Sequence, residues 1–183
     1  IAGAASGRIF VMNIDTVSIV WEWKPYKNGY GTNKLGLLLV DKGDEIPAGY
    51  IILSLDEAEA RMVTNIALGE GEKLANIVDF DELDPKRGLR RWQNTTHPNY
   101  AGYKIGDPNK IVATFFNSNQ AVEIDKETSR VRIIRQDLAR PHGMIIYKEG
   151  YLISDTANGR VLYIDKEFNP ISEFDFSQFP VPE

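Results

Sequence analysis

The sequence contains no cysteine, which excludes disulfides, thiolate nucleophiles and cysteine-ligated metal centres. Histidine is nearly absent, with only His97 and His142 in 183 residues. No apolar run reaches the roughly 18 residues that a membrane-spanning helix requires. Positive charge is outnumbered: the net charge is −5 and the pI is near 5.2. A broad nucleic-acid surface is therefore not expected, because phosphate binding needs a basic face. No P-loop, dinucleotide fingerprint or serine elbow is present. Residues Ile1 to Ser6 are too short for a signal peptide. A start at Ile1 instead of Met reads as a processed or trimmed chain. Lack of cysteine leaves the compartment open, and an extracytoplasmic or secreted setting is favoured. The sequon Asn94-Thr95-Thr96 would matter only in a eukaryotic secretory setting.

What is present is ordinary globular composition, 43% hydrophobic and 26% charged, enough to bury a core. Its organisation is repetitive. The clearest unit runs Arg140-Pro-His-Gly-Met-Ile-Ile-Tyr, Gly150-Tyr-Leu-Ile-Ser-Asp, Gly159-Arg-Val-Leu-Tyr-Ile-Asp and Ile171-Ser-Glu-Phe-Asp-Phe. Each run is short, β-branched or aromatic, and bounded by turn pairs such as Glu149-Gly150, Asn158-Gly159 and Asn169-Pro170. That pattern predicts four consecutive antiparallel strands.

Related phrases recur upstream. Ile111-Val-Ala-Thr-Phe-Phe, Ala121-Val-Glu-Ile-Asp-Lys-Glu127 and Val131-Arg-Ile-Ile-Arg form a second unit. Its Asp125-Lys-Glu precedes Asp165-Lys-Glu by 165 − 125 = 40 residues, close to the roughly 40–45 of a propeller blade. Gly36-Leu-Leu-Leu-Val-Asp-Lys-Gly43, Gly49-Tyr-Ile-Ile-Leu-Ser-Leu-Asp56, Ala60-Arg-Met-Val-Thr-Asn65 and Leu74-Ala-Asn-Ile-Val-Asp-Phe80 suggest a third. Gly7-Arg-Ile-Phe-Val-Met-Asn13 and Val17-Ser-Ile-Val-Trp-Glu-Trp23 supply the outer half of another.

The expected fold is therefore all-β, a β-propeller of four-stranded antiparallel blades. Residues 1–183 form one propeller domain or propeller fragment, with a partial blade at 1–24 and full blades at about 33–80, 94–136 and 140–176. A single twisted sheet cannot cover both its faces, and stacking copies radially does so. Asp56 to Arg61 reads as a turn within the repeat, and Asp81 to Arg91 as a charged loop or short helix. The alternative architecture is a two-layer β-sandwich.

Pro141-His-Gly, Gly150-Tyr-Leu-Ile-Ser-Asp-Thr and Asn158-Gly-Arg-Val-Leu-Tyr-Ile-Asp resemble the repeats of NHL-type and related six-bladed propellers. The Trp-Glu-Trp ending at Trp23 is similar to strand endings in arylsulfotransferase-like propellers. The resemblance implies a fold more than a function, since propellers host lyases, lactonases, transferases and binding proteins. Six blades need more residues than this chain has. The expected partners therefore include a second chain, or missing upstream residues, that completes the ring.

Candidate site residues follow from the innermost strands. His97 and His142 occupy similar places, just before the first strands of consecutive blades, where they would line a central channel. The resemblance implies that the histidine of a Pro-His-Gly phrase helps hold a metal, as in propeller lyases. A catalytic set of His97, His142 and Arg140, and a metal set of His97, His142 and Asp155, follow for a divalent zinc or calcium ion. The plainer alternatives are that the histidines serve turns and that Asp155 caps one. Arg8, Arg61 and Arg160 share a repeat position; such an arginine could read carboxylates or sulfate bidentately, but recurrence favours a structural role, in inter-blade packing or an ion pair. Tyr26, Tyr30, Trp92 and Tyr100 offer aromatic surface for a ligand, and the Tyr26–Asn33 and Leu83–Thr96 segments are candidate binding loops. Two functions fit. One is a recognition or scaffold propeller that binds a protein, peptide or glycan at one end of the ring. The alternative is a metal-assisted lyase or hydrolase, or a sulfotransferase-like enzyme, with its site at the channel.

Overall fold

The structure is a computed structural model that describes residues 2–3, 7–64, 69–79, 90 and 92–176. The chain divides into two compact units. One contains the N-terminal strands and everything from His97 onward, and the other the segment from Lys24 to Thr96.

The first unit opens with a three-stranded antiparallel sheet of β1 (Ala2–Gly3), β2 (Arg8–Asn13) and β3 (Ser18–Trp23). The intervening unit holds β4 (Leu38–Asp41), β5 (Ile51–Leu53), α1 (Leu55–Val63) and β6 (Leu74–Val78). The first unit then resumes with β7 (Pro98–Lys104), β8 (Asp107–Phe115), β9 (Gln120–Asp125) and β10 (Val131–Arg135). It ends with β11 (Pro141–Tyr147), β12 (Gly150–Asp155), β13 (Arg160–Asp165) and β14 (Pro170–Asp175). Each of these last two groups is a four-stranded antiparallel sheet whose strands neighbour one another in chain order. The chain is thus mainly β, and two strand groups expected as blades have the expected connectivity. No helix among the described residues is long and apolar enough to cross a membrane.

Local chemistry explains these meanders. Tyr147 pairs with Gly150 across a two-residue turn, with Lys148 at φ 51°, the left-handed geometry that matches strand twist. At Gly150 any side chain would overlap the Ile164 carbonyl oxygen on β13, so only glycine fits there. The β13–β14 turn is closed by Asp165, whose Oδ1 accepts from the Glu167 and Asn169 N–H groups. Asp125 does the same for Glu127 and Thr128 before β10, and Asn13 for Asp15 and Thr16 before β3. These are Asx turns, and their recurrence at one strand end is the repeat visible in the sequence.

The sheets pack through side chains that alternate along the strands. Val112 and Ala121 of one sheet meet Met144, Tyr151, Ile153, Leu162 and Ile164 of the next in one buried cluster. Against the opposite face of β8, Trp23 is fully buried and stacks on Phe115 at 5.4 Å between ring centroids. Its Nε1–H donates to the Ser129 carbonyl at 3.2 Å, and Trp21 donates to that of Lys126 at 2.9 Å. Burying roughly 200 Å² of indole contributes on the order of 5 kcal/mol at about 25 cal/mol per Å². The Trp-Glu-Trp phrase therefore anchors the N-terminal sheet.

The segment expected as a blade at 33–80 is different. Its sheet has the order β4-β6-β5, and both outer strands run parallel to β6. β5, α1 and β6 form a βαβ crossover. The Asp56 to Arg61 stretch, expected as a turn, is the body of α1. Ser54 caps it: its hydroxyl accepts from the Glu57 N–H, and the Glu57 carboxylate accepts from the Ser54 N–H. The runs Leu38–Val40 and Ile51–Leu53 are short and continuously apolar, which suits parallel strands as well as blade strands. Composition could not separate the two, but the capping box at Ser54-x-x-Glu57 could have done so. This unit has its own core of Leu37, Leu39, Ala58, Met62, Leu74 and Val78.

Candidate functional site

The starts of β7 and β11 share an unusual backbone. His97 (φ 47°) and Arg140 (φ 53°) are both left-handed non-glycine residues, and each precedes a proline. Such a conformation costs on the order of 1 kcal/mol or more and persists only where the surroundings enforce it. Pro98 and Pro141 follow, both buried and both lacking an N–H at the first strand position. A bulge comes next in each strand. The register passes from Pro98↔Phe115 to Tyr100↔Thr114, and from Pro141↔Asp155 to Gly143↔Ser154. Asn99 and His142 are the extra residues.

This register corrects the sequence alignment. His97 is equivalent to Arg140, not to His142, and His142 is equivalent to Asn99. The Pro-His-Gly phrase misled because its histidine follows the proline, whereas His97 precedes one. A bulge re-aims its extra side chain, which is how non-equivalent histidines still meet.

They meet at Phe116, the residue after β8. Its ring centroid lies 5.3 Å from that of His97 and 5.0 Å from that of His142, the latter edge-on. The Arg140 guanidinium carbon is 5.8 Å from the same ring, within cation–π range. The expected catalytic set of His97, His142 and Arg140 is therefore gathered at one end of two adjacent sheets, with an aromatic ring between the imidazoles. His142 Nδ1 is 3.1 Å from the Arg140 carbonyl oxygen and 3.0 Å from Thr156 Oγ1. A carbonyl can only accept, so Nδ1 carries the proton and Nε2 is the acceptor of the neutral ring.

Asp155 sits apart in role. It is fully buried at the end of β12. Its Oδ1 accepts from the Ala139 N–H at 2.6 Å, and its Oδ2 from Asn158 Nδ2 at 2.9 Å and Arg160 Nε at 2.6 Å. With both oxygens engaged, it organises the turn and the Arg160 side chain. Among the described residues no group of three His, Cys, Asp or Glu side chains is placed to hold a metal ion. The set His97, His142 and Asp155 does not fit a zinc or calcium centre, and no chemical step is derived through one.

The recurring arginines divide. Arg160 also reaches Glu173 on β14, and its protonated form is favoured chiefly by the hydrogen bond to Asp155. Arg8 pairs with Glu22 on β3 at 2.9 Å. In both sheets the carboxylate lies opposite the residue two beyond the arginine, Phe10↔Glu22 and Leu162↔Glu173. Arg61, expected at the same repeat position, is on α1 and pairs with Glu72 at 2.5 Å. Asp56, the end of the Gly49–Asp56 phrase, lies in the first turn of α1.

The aromatic candidates pack inward. Tyr26 and Trp92 lie against the core of the Lys24–Thr96 unit, and Tyr26 Oη donates to Asp41 Oδ2 at 3.2 Å. Tyr100 packs on the seam between the two four-stranded sheets. Burial raises the phenol pKa of both Tyr30 and Tyr100. Of the proposed loop Leu83–Thr96, residues 83–89 and 91 lie outside the described residues.

Three groups at this site were not singled out in the sequence. Phe116 is one, though the Phe115-Phe116 doublet after an alternating strand signals that one ring leaves the core. The others are Asn99 Nδ2 and Thr114 Oγ1, buried polar atoms without a hydrogen-bond partner. They lie on adjacent strands at the β7 bulge, Asn99 two residues after His97 and Thr114 opposite Tyr100. Unpaired buried polar atoms are uncommon and costly. No protein-family model and no curated protein matches this chain.

Proposed function

We propose that this protein is a recognition module of propeller type that binds an acidic glycan where β7 and β11 begin. The observation that carries the reading is the convergence of His97, His142 and Arg140 on Phe116. The chemistry of the group is mixed. The Arg140 guanidinium suits a carboxylate or sulfate oxyanion. His142 Nε2, as an acceptor, suits a hydroxyl donor. Phe116 offers apolar surface to the C–H face of a sugar ring. An acidic sugar carries all three complements on one ring.

The sheets are read as blades of a ring. The β11–β14 sheet buries one face on its neighbour, while Ile145, Tyr147 and Phe174 on the other stay exposed. Exposed apolar sheet faces mark docking surfaces, which supports a further sheet of the same kind, from a second chain or more of this one, completing the assembly.

Titration calorimetry with a polyuronate or sulfated oligosaccharide, against a neutral glucan, tests the binding. The acidic glycan should bind, and Arg140→Ala should weaken it about tenfold, the worth of one charge-assisted hydrogen bond. Equal binding of the neutral glucan, or an unaffected Arg140→Ala variant, would sink the reading. A second reading, a lyase or hydrolase at the same place, is supported by the strained backbone at His97 and Arg140. Release of new chain ends from the bound oligosaccharide, lost in His142→Ala, would favour it.

A further inference from the structure

We infer that a cavity at the opposite end of the β7–β10 sheet binds a tetrahedral oxyanion, a phosphate or sulfate ester. The cavity has a volume of about 400 Å³ and is lined by Glu123, Asp125, Thr128, Arg130, Val131 and Arg132. It lies where β8 starts and β9 ends, whereas Phe116 follows the far end of β8. The site is thus separate from the His97 cluster.

The register arranges its charges in rows. Arg132 lies opposite Glu123, and the Asp125 N–H bonds to the Arg130 carbonyl. On the other side of β9, Lys110 lies opposite Asp125. Two carboxylates on β9 are therefore flanked by Lys110 on β8 and by Arg130 and Arg132 at β10, with Lys104 reaching in from β7. Counting Lys104, Lys110, Arg130 and Arg132 against Glu123 and Asp125 gives 4 − 2 = +2, in a chain whose net charge is −5. A local positive surplus in an acidic protein attracts anions selectively.

The carboxylates are already committed. Glu123 is buried and accepts from Lys104 Nζ at 2.7 Å and Lys110 Nζ at 3.2 Å. Asp125 Oδ1 takes the N–H groups of Glu127 and Thr128 and the Thr128 hydroxyl. The guanidiniums are not committed. Arg130 and Arg132 form no ion pair among the described residues, and Arg132 rests on the Phe168 ring at 5.6 Å. Side chains two residues apart on an extended strand share a face about 6–7 Å apart. A tetrahedral oxyanion has enough oxygens to accept from both forks, and its dianion balances the surplus. A carboxylate offers two oxygens and one charge, sufficient for a single fork. The volume exceeds that of a bare ion, and Val131 supplies an apolar wall, so an ester substituent has room.

The test is titration calorimetry on Arg140→Gln protein, which disables the acidic-glycan reading without touching this cavity. The probes are inorganic phosphate, inorganic sulfate and phenyl phosphate, with acetate and chloride as controls at constant ionic strength. Saturable millimolar or tighter binding is expected, with phenyl phosphate the tightest. In an Arg130→Gln/Arg132→Gln background, affinity should fall about tenfold or more while the urea midpoint stays within error. A lone Arg130→Gln variant, which disturbs no ring contact, should lose part of the affinity. Preference for phosphate or for sulfate assigns the ester class. Binding no stronger than that of acetate or chloride, or binding indifferent to the arginine substitutions, overturns the site.

Discussion

Glu123 is a carboxylate on β9 that pairs with Lys104 and Lys110. Its place in Ala121-Val-Glu-Ile-Asp suggests an exposed strand position, yet it is only 4% exposed. Burial alone would raise its pKa. Hydrogen bonds and charge from Lys104 and Lys110 together outweigh that, and its carboxyl is held below the usual 4.5. A depressed folded-state pKa means the ionised form stabilises the fold. That stability is present above the unfolded value and is lost as pH falls through the folded one. Glu123→Gln should therefore cost about 1–2 kcal/mol near neutrality, the worth of charge-assisted hydrogen bonds to two half-buried lysines, and the cost should shrink on acidification below about pH 4.5. Urea denaturation of both proteins across that range measures it; a constant difference would show that Glu123 is not the linked group. The partners of such a carboxylate lie 13 and 19 residues away, so no local pattern reveals them. His97 and His142 were legible as candidates because histidine is scarce. Phe116 was not, because nothing in an aromatic doublet says which ring stays in the core.

At the level of elements, the readable signals were turns. Asn158-Gly159, Glu149-Gly150 and the Asp-Lys-Glu phrases mark backbone conformations that depend on two to four neighbouring residues, and the strands between them followed. The error over 33–80 arose where the decisive signal was a helix cap. Ser54 and Glu57 satisfy two otherwise orphaned N–H groups of α1. Ser54→Ala should destabilise the Lys24–Thr96 unit by about 1 kcal/mol, and Ser54→Asp should restore most of it. Hydrogen exchange of the α1 amides tests this, and unchanged protection in Ser54→Ala would remove the capping argument. The two bulges were also invisible beforehand. A bulge is defined by register against a second strand, and the Pro98-Asn99 and Pro141-His142 pairs show it only when β8 and β12 lie alongside.

For the whole molecule, the division into two units makes a strong prediction. Trp23 and Pro98, which border the intervening segment, both neighbour Phe115, the first by stacking and the second by pairing. The segment between them carries its own core. Replacing residues 25–95 by a short Gly/Ser linker should leave the remaining sheets folded, with a cooperative urea transition and a circular dichroism spectrum lacking the α1 contribution. A non-cooperative transition would show that the sheets depend on the excised segment.

The sequence by itself determined the β-rich class, the two four-stranded meanders and the N-terminal strand pair, because alternation and turn chemistry are local properties that survive without tertiary context. It also pointed to a structural role for Arg8 and Arg160 through their recurrence at one repeat position, while the register that pairs them with Glu22 and Glu173 came from the fold. Tertiary structure decided the rest. Strand direction in β4-β6-β5 depends on which edges meet. The engagement of both Asp155 oxygens depends on Ala139, Asn158 and Arg160. The meeting of His97, Arg140 and His142 on Phe116 depends on two bulged strand starts in adjacent sheets. Each requires residues distant in sequence to be held at fixed separations, and only the packed sheets fix those separations.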